Sequence, residues 1–428
     1  MATDQRGRNI VIIGGGIIGS TTAYFLSHHP SFNPQKDHIT LLEATKIAGG
    51  ASGKAGGLLA LWAYPECIVP LSYQLHRDLA EKHGGAERWG YRALHCGEVE
   101  ARGVLAESKD VDDDDNDDAS DATTLPKRTP NAISLLRAAG VPQDLDWLAA
   151  SGLKRYEEMG TPLTTAQVHP YEFTTSMAQL AQDKGVQIVY GSATSIEEQH
   201  DDHNHGAVTA VTYTPQGPRK TPHRIPADTV ILAAGPWTKA LSPNAPISAQ
   251  RAHSILLQPS RPISAHALFT SIEIPHTTLS PSHTIPSPPT TTTTTVTPEI
   301  YPRPNNQVYA CGSTDKRTPL PPSSDLVQCD DAACEAIFQH VASISAPLRN
   351  GRVIARQACY LPNVDVRSGG GGPLVGPTRV RGLFMAAGHT CWGIQNAPAT
   401  GKILAEFVYD GEAKSARVGG LDPRKYGV

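Results

Sequence analysis

The sequence lacks the features that would assign it to a membrane, a secretory route or nucleic acid. No apolar run among its 428 residues approaches the ~20 needed to span a bilayer. Residues 1–8 are polar and lead directly into a short strand and a glycine run, unlike a signal peptide. Lysine and arginine form no stripe in a chain of net charge −4, and the last three residues are not a peroxisomal signal. We therefore expect a cytoplasmic protein without a membrane span or nucleic-acid partner; endosome-associated or nuclear pools stay open.

Cysteine is also scarce, and the seven cysteines are spread along the chain. An odd number of dispersed cysteines matches neither a disulfide framework nor a zinc site, and it is typical of a reducing compartment. The segment Asp110–Asp121 contains eight aspartates but lacks the interleaved spacing and the glycine of a calcium loop. We therefore expect no metal site.

Two segments have a composition that cannot supply a core. The like charges within residues 108–128 repel one another and resist burial. Residues 276–298 are rich in proline, serine and threonine, including the run Thr290–Thr295. This composition favours an extended or disordered chain. We predict an insert at each of the two segments.

A glycine-rich turn near the N-terminus joins a strand to a helix. The apolar run Asn9–Ile13 predicts a buried parallel strand, Ile17–Ser27 follows with helical spacing, and His38–Glu43 predicts a second strand. Together they form one βαβ unit. In this context the spacing Gly-x-Gly-x-x-Gly indicates a dinucleotide site, against the alternative of a purely structural turn.

Each glycine of the motif, and the glutamate that ends the second strand, has a physical role in such a site. Gly14 permits the tight turn, Gly16 lets the backbone approach a pyrophosphate, and Gly19 lets the helix pack on the strand. The start of the helix offers free N–H groups to the phosphates. Glu43 ends the second strand, where its carboxylate can accept hydrogen bonds from a ribose.

Segments of the nucleotide type recur at the other end of the chain. Thr229–Ala234 and Leu383–Ala387 predict further buried strands, and Pro398–Tyr409 predicts a last helix. The chain must therefore leave the first domain and return to it. We predict one domain from residues 1–65, 165–248 and 373–415, interleaved with a substrate domain from residues 66–164 and 249–372.

Five sequence blocks, in order, resemble the D-amino-acid oxidase/glycine oxidase/sarcosine oxidase superfamily of flavoenzymes. They are Val11–Gly19; Glu43-Ala44 with Gly50–Gly57; Val230–Trp237; Pro373–Thr378; and Gly388–Ile394 with Ala397–Gly401. The resemblance covers most of the chain, and two of the blocks look most like a fungal branch. It implies an α/β fold, in which a Rossmann-type FAD-binding domain is interleaved with a substrate domain built on a large mixed or antiparallel sheet with helices.

The resemblance also implies FAD as the cofactor, bound in an extended form and without a covalent bond. The implied cofactor-binding residues are Ile13, Gly14, Gly16, Ile17, Ile18, Gly19, Leu42, Glu43, Ala44, Ser52, Gly53, Lys54, Ala55, Gly56, Gly57, Leu58, Ala234, Gly235, Trp237, Gly388, His389, Trp392, Gly393 and Ile394. For Gly235 a plain turn is an equal alternative. In the family the last helix points its positive end at the flavin; we expect it to start near residues 396–398.

The candidate catalytic and substrate-side residues are Tyr301, Arg303, Tyr360, His389 and Trp392. Arg303 offers a bidentate partner for a carboxylate or forms a surface salt bridge. Tyr360 and Trp392 form a pocket wall or pack in the core, and His389 is a flavin neighbour or a buried structural imidazole.

One strand departs from the family pattern. Leu361 stands where amino-acid oxidases of this group often carry an arginine, so the usual carboxylate clamp is absent. Sarcosine-oxidase relatives attach the flavin through a cysteine of this strand. Cys359 is the candidate for such a bond, but our alignment places it one residue away, on the opposite face of the strand.

The implied reaction is hydride transfer from a carbon next to an amine nitrogen to flavin N5. The imine then hydrolyses, and oxygen, the expected partner besides a small-molecule substrate, yields peroxide. Three alternatives stay open: an FAD dehydrogenase with another electron acceptor, a flavin-fold binding or trafficking factor with little catalysis, and an NAD-linked enzyme, which the C-terminal block disfavours.

Overall fold

The computed structural model describes residues 7–104, 130–201, 206–218, 220–278, 290–365 and 372–428. The predicted insert at 108–128 lies outside the described residues. Within the described ranges the strands form two large sheets and one small sheet. Among these residues, no helix combines the length and the apolar character needed to cross a bilayer.

The strands are named in chain order. They are β1 (Asn9–Ile13), β2 (His38–Glu43), β3 (Leu58–Ala60), β4 (Arg92–Ala93), β5 (His95–Arg102), β6 (Leu153–Gly160), β7 (Thr165–Gln167), β8 (Gln187–His200), β9 (Gly206–Pro215), β10 (His223–Pro226), β11 (Thr229–Leu232), β12 (Ile247–Gln258), β13 (His266–Thr278), β14 (Thr290–Val296), β15 (Glu299–Arg303), β16 (Gln307–Asp315), β17 (Arg352–Val364), β18 (Leu374–Pro377) and β19 (Leu383–Ala387).

The helices are named in the same way. They are α1 (Ile17–Ser27), α2 (Val69–His83), α3 (Gly85–Trp89), α4 (Pro130–Ala138), α5 (Pro170–Gln182), α6 (Thr238–Leu241), α7 (Asp331–Ala342), α8 (Ala346–Arg349) and α9 (Gly393–Asp410).

The first sheet has the order β10-β9-β8-β2-β1-β11-β19-β18. Its five central strands, from β8 to β19, are parallel. The side chains of β1 and β2 are buried on both faces, which explains their continuous apolar sequence. Side chains of α1, α5 and α9 pack together over one face. The expected βαβ unit and the Rossmann-type sheet are confirmed.

The second sheet has the order β17-β12-β16-β15-β13-β5-β6, and β14 pairs with β13. Its pairs are antiparallel except for β13 with β5. The expected mixed sheet is therefore present, and α7 and α8 pack on it. We expected residues 276–298 to form an extended or disordered insert. Its described ends instead belong to the antiparallel strands β13 and β14, because threonine has a high strand propensity; residues 279–289 lie outside the described residues.

The last helix begins earlier than its sequence predicts. We expected a start near residues 396–398, because proline suits a first turn. Helix α9 instead begins at Gly393 and carries Pro398 inside it. Its N-terminal end therefore reaches the carboxyl end of the first sheet, where the candidate site lies.

Candidate functional site

A cavity of about 490 Å³ lies between the two large sheets. This volume is typical of sites for small molecules and cofactors. One end is lined by the first βαβ unit, including Gly14, Ile17 and Glu43. The other end is lined by strands of the second sheet and by the start of α9. The cavity therefore connects the predicted dinucleotide site with the second sheet.

The glycine turn has the geometry that a closely approaching phosphate needs. Gly14 has φ +112°, a conformation that side chains rarely adopt. A Cβ at Gly19 would overlap the carbonyl oxygen of Gly14, so helix α1 can approach β1 only with glycine there. The N–H of Ile17 donates to Oγ of Ser52 at 2.9 Å. This bond ties the second glycine-rich loop to the start of α1.

The Glu43 carboxylate is held in place by the chain around it. Oε2 accepts from the N–H of Gly15 at 2.7 Å. Oε1 accepts from the N–H of Thr45 at 2.8 Å and from its hydroxyl at 3.0 Å. A carboxylate has about four acceptor positions. Glu43 therefore keeps acceptor capacity toward the cavity that it lines.

Most of the predicted cofactor-binding residues line the cavity. They are Ile13, Gly14, Gly16, Ile17, Ile18, Leu42, Glu43, Ala44, Ser52, Lys54, Ala55, Gly56, Gly57, Leu58, Ala234, Gly235, Trp237, His389, Trp392, Gly393 and Ile394. Gly235 also has φ +54°, so it serves as a turn and lines the cavity. Gly19, Gly53 and Gly388 are outside the lining. At Gly53 and Gly388 a Cβ would overlap neighbouring residues, so there glycine serves close packing.

Strand β17 lines the cavity with Cys359, Leu361 and Pro362 but not with Tyr360. The hydroxyl of Tyr360 donates on the other side to the carbonyl of Pro319 at 2.9 Å. Our placement of Cys359 on the opposite face is therefore corrected, because side chains two apart share a face. Burial raises the pKa of Cys359 to about 11, although Lys54 opposes the rise. The thiol is protonated at neutral pH and is a weak nucleophile.

Arg303 also lies outside the cavity lining. Its guanidinium is buried, donates to the carbonyl of Ala55 and lies 5.1 Å from the centre of the Tyr309 ring. Neither a substrate contact nor a surface salt bridge describes it. Arg303 therefore supports the loop of residues 54–57 from outside the cavity. Of the substrate-side candidates, Tyr301, His389 and Trp392 line the cavity.

His389 is both a residue of the cavity lining and a buried structural imidazole. The residue lines the cavity, and Nε2 of its buried ring lies 3.1 Å from Oγ1 of Thr400 in α9. Burial lowers the pKa of His389 to about 3. The imidazole is therefore neutral at physiological pH and holds the turn before α9 in place.

Several lining residues were missed by the sequence analysis. Glu299 and Cys311 are a cross-strand pair of β15 and β16, and Tyr301 and Tyr309 are the next pair on the same face of the sheet. The hydroxyl of Tyr301 donates to Oε2 of Glu299. The alternation Glu299-x-Tyr301 was the available signal, but it directly follows a segment that we expected to be an insert. Phe269 of β13 completes this acidic and aromatic end.

The family follows from comparison with known proteins. A model of the family described as FAD dependent oxidoreductase (DAO) matches residues 9–407. The chain belongs to this family. A Saccharomyces cerevisiae protein named "Putative oxidoreductase TDA3" is 32% identical and covers 98% of this chain and 95% of its own length. The expected fungal relationship is thereby confirmed.

Solved structures of the same fold include one enzyme named as an oxidase and one named as a dehydrogenase. Glycine oxidase from Geobacillus kaustophilus has a TM-score of 0.65 at 16% identity and covers 98% of this chain and 99% of that one. L-proline dehydrogenase from P. horikoshii has a TM-score of 0.67 at 15% identity, with 99% and 98% covered. At such identities the likeness establishes the fold.

The residues present fit FAD. The glycine turn and the retained acceptor capacity of Glu43 match the pyrophosphate and a ribose of a dinucleotide, and the cavity volume lies in the usual range for cofactor sites. The chain is an FAD-dependent oxidoreductase, and non-covalent binding is the usual mode in its family. Among the described residues, no group of three or more metal-ligating side chains was found.

Proposed function

We propose that the protein oxidises a carbon–nitrogen bond of a small amine or amino-acid-like molecule, with molecular oxygen as the electron acceptor. One observation carries the proposal: a single cavity extends from the start of α1 to the acidic and aromatic residues of the second sheet. Cofactor and substrate would therefore share one cavity, as direct transfer between them requires. When bound, FAD supplies the acceptor for a hydride from the carbon next to nitrogen.

The dinucleotide end would be held mainly by backbone groups. We assign the diphosphate to the turn Gly14–Gly16 and the first turn of α1, whose N–H groups and positive dipole end favour anions. Ser52 accepts the N–H of Ile17, so its hydroxyl proton is available to a phosphate oxygen. Glu43 would accept from the adenosine ribose.

The reacting end would be shaped by α9. Gly393 and Ile394 begin this helix and line the cavity, so its positive dipole end stabilises negative charge that develops there. His389 positions the preceding turn through Thr400. Trp392 and Tyr301 would enclose the substrate and exclude water from the site.

The test is anaerobic mixing of the purified FAD-loaded protein with benzylamine, sarcosine, glycine, D-alanine and L-proline. We expect at least one of them to bleach the flavin absorbance, and admission of air to restore it with formation of peroxide. Bleaching without peroxide in air would indicate a dehydrogenase. If no amine bleaches the flavin, the proposed activity is wrong and a binding or trafficking role replaces it.

A companion measurement addresses the bond to the cofactor. Acid precipitation should release all of the yellow colour into the supernatant, because the protonated Cys359 thiol is a weak nucleophile. Colour that stays with the pellet of the wild-type protein, but not of Cys359→Ser, would show a covalent bond through this residue.

A further inference from the structure

We infer that Glu299 and the aromatic side chains beside it form a subsite for an organic cation, so that the substrate is an amine without a carboxylate group. This assignment of the substrate class rests on the proposed amine oxidation. The subsite itself is argued from the side chains of β13, β15 and β16 at the end of the cavity opposite the glycine turn.

The Glu299 carboxyl lines the cavity without a positively charged partner. Its Oε2 accepts from the hydroxyl of Tyr301 and lies 3.7 Å from Sγ of Cys311. Within the described residues, Oε1 has no hydrogen-bond partner, and no lysine, arginine or histidine forms a salt bridge with the group. One oxygen is therefore left to a ligand.

An unpaired carboxylate in such a place is unfavourable by itself. Removing its charge from water costs free energy that only a counter-charge or hydrogen bonds restore. Burial raises the pKa of Glu299, and the bonds from Tyr301 and Cys311 oppose the rise. A bound cation would supply the missing partner and favour the ionised form.

Phe269, Tyr301, Tyr309 and Trp392 line the same cavity as the carboxyl. The rings of Phe269 and Tyr301 are 6.1 Å apart and edge to face, and Tyr301 stacks on Tyr309 at 5.9 Å. Trp62 is outside the lining but packs on two of these rings, 5.8 Å from the ring centre of Phe269 and 5.5 Å from that of Trp392. Ring faces attract organic cations, most strongly where water is excluded. The combination of rings and one carboxyl is suited to an ammonium group.

The cavity offers little to a substrate carboxylate. In the described part of the chain, Lys54 is the one lysine or arginine in the lining. Its Nζ already donates to the carbonyl of Ala358 at 2.8 Å, and burial lowers its pKa. Arg303 is outside the lining and Leu361 is apolar. The charge of the site therefore selects amines over amino acids.

The subsite can be tested with three probes that carry methyl groups visible by proton NMR. Tetramethylammonium is a cation that needs no turnover, tert-butanol is a neutral molecule of similar shape, and acetate is an anion. Relaxation of their methyl signals reports binding to the FAD-loaded protein. We expect wild-type protein to bind tetramethylammonium more tightly than tert-butanol and acetate.

Substitution of the carboxyl should remove this preference. Glu299→Gln should weaken tetramethylammonium binding by roughly 10- to 100-fold, as expected for loss of the attraction between opposite charges in a partly buried site, and should leave tert-butanol unchanged. The matched control is Glu273→Gln, which changes a carboxylate of β13 that pairs with Lys154 at 2.6 Å. It should bind like the wild type.

Two outcomes would overturn the inference: acetate binding more tightly than tetramethylammonium in the wild type, or equal cation binding in wild type and Glu299→Gln. The wild-type comparison of the three probes stands even if the variant fails to fold. The test is also separate from the proposed activity. If the cation binds through Glu299 but no amine bleaches the flavin, the activity is wrong and the subsite stands.

Discussion

Nε2 of His76 lies 2.9 Å from the carbonyl oxygen of Ile394 and donates a hydrogen bond to it. In a regular helix this carbonyl would accept from the N–H four residues later. That residue is Pro398, which has no N–H. His76, on α2, supplies the donor that α9 lacks. This contact explains how α9 tolerates an internal proline and still begins at Gly393, beside the cavity.

The first prediction concerns this contact. His76→Phe should lower the free energy of unfolding by about 1–3 kcal/mol, because it leaves a buried carbonyl without a donor. Pro398→Ala restores the backbone N–H that can donate to the carbonyl of Ile394 in a regular helix. In that background His76→Phe should cost clearly less. Urea unfolding of the wild type, both single variants and the double variant measures the difference. Equal costs in the two backgrounds would contradict the explanation.

The second prediction is a loss of stability in acid. Burial lowers the pKa of His76 to about 4 and that of His389 to about 3, from 6.5. Both rings are neutral in the folded state but take up protons below pH 6.5 when unfolded. The stability that these neutral rings give to the folded state is therefore complete above pH 6.5. It is lost as the pH falls toward their pKa values in the folded protein.

The loss can be measured by urea unfolding between about pH 7.5 and about pH 5. Each of the two histidines should lower the free energy of unfolding by about 2 kcal/mol over that interval. His76→Gln keeps a hydrogen-bond donor but cannot titrate. In this variant the free energy of unfolding should therefore fall by about 2 kcal/mol less over the same pH interval. An unchanged slope in this variant would show that His76 does not titrate on unfolding.

The third prediction separates cofactor binding from substrate binding. The variant is Gly56→Ala. Its Cβ would overlap the ring of Tyr301, whose hydroxyl donates to Glu299. Displacing that ring should lower kcat/KM for an amine roughly tenfold, as expected from overpacking costs of about 1–3 kcal/mol. The matched control is Gly50→Ala, whose Cβ meets nothing closer than the Trp237 ring at 3.8 Å. Flavin content should remain near that of the wild type in the control, and equal kcat/KM in both variants would contradict the role of Tyr301.

The fourth prediction uses the departure in β17. Leu361 is apolar and lines the cavity; the family resemblance led us to expect an arginine here in an amino-acid oxidase. Leu361→Arg adds a bidentate donor for carboxylates, so acetate binding should increase about tenfold or more by methyl-proton relaxation. Leu361→Met keeps the apolar character and should bind acetate like the wild type. Unchanged acetate binding in Leu361→Arg would show that this side chain does not reach the ligand.

Local patterns predicted most of the residues that line the cavity near the glycine turn. Gly14, Gly16 and Gly19 lie within one turn and obey rules of backbone conformation that depend on neighbouring residues alone. Strand β1 was also predicted from local sequence, because a parallel strand that is buried on both faces needs a continuous apolar run. The family and its cofactor followed from such blocks.

Prediction failed where a contact depends on residues distant in the chain. Nothing near Pro398 in the sequence indicates a donor from His76, so the start of α9 was placed too late. Likewise, Arg303 and Tyr360 are of suitable type for a substrate site, but their strands turn them away from the cavity.

The sequence by itself determined the βαβ unit and its glycine turn, because these depend on short-range sterics and hydrogen bonding. FAD followed from the resemblance of the five blocks to a flavoenzyme family, which the family model confirms. Only the tertiary structure decided which side chains face the cavity. The pairing of β15 with β16 brings Glu299 beside Cys311 and Tyr301 beside Tyr309, and the alternation of β17 selects Cys359 and Leu361 over Tyr360. A shift of one residue in a strand reverses its faces, so the substrate end depends on strand register, which composition and motifs do not specify.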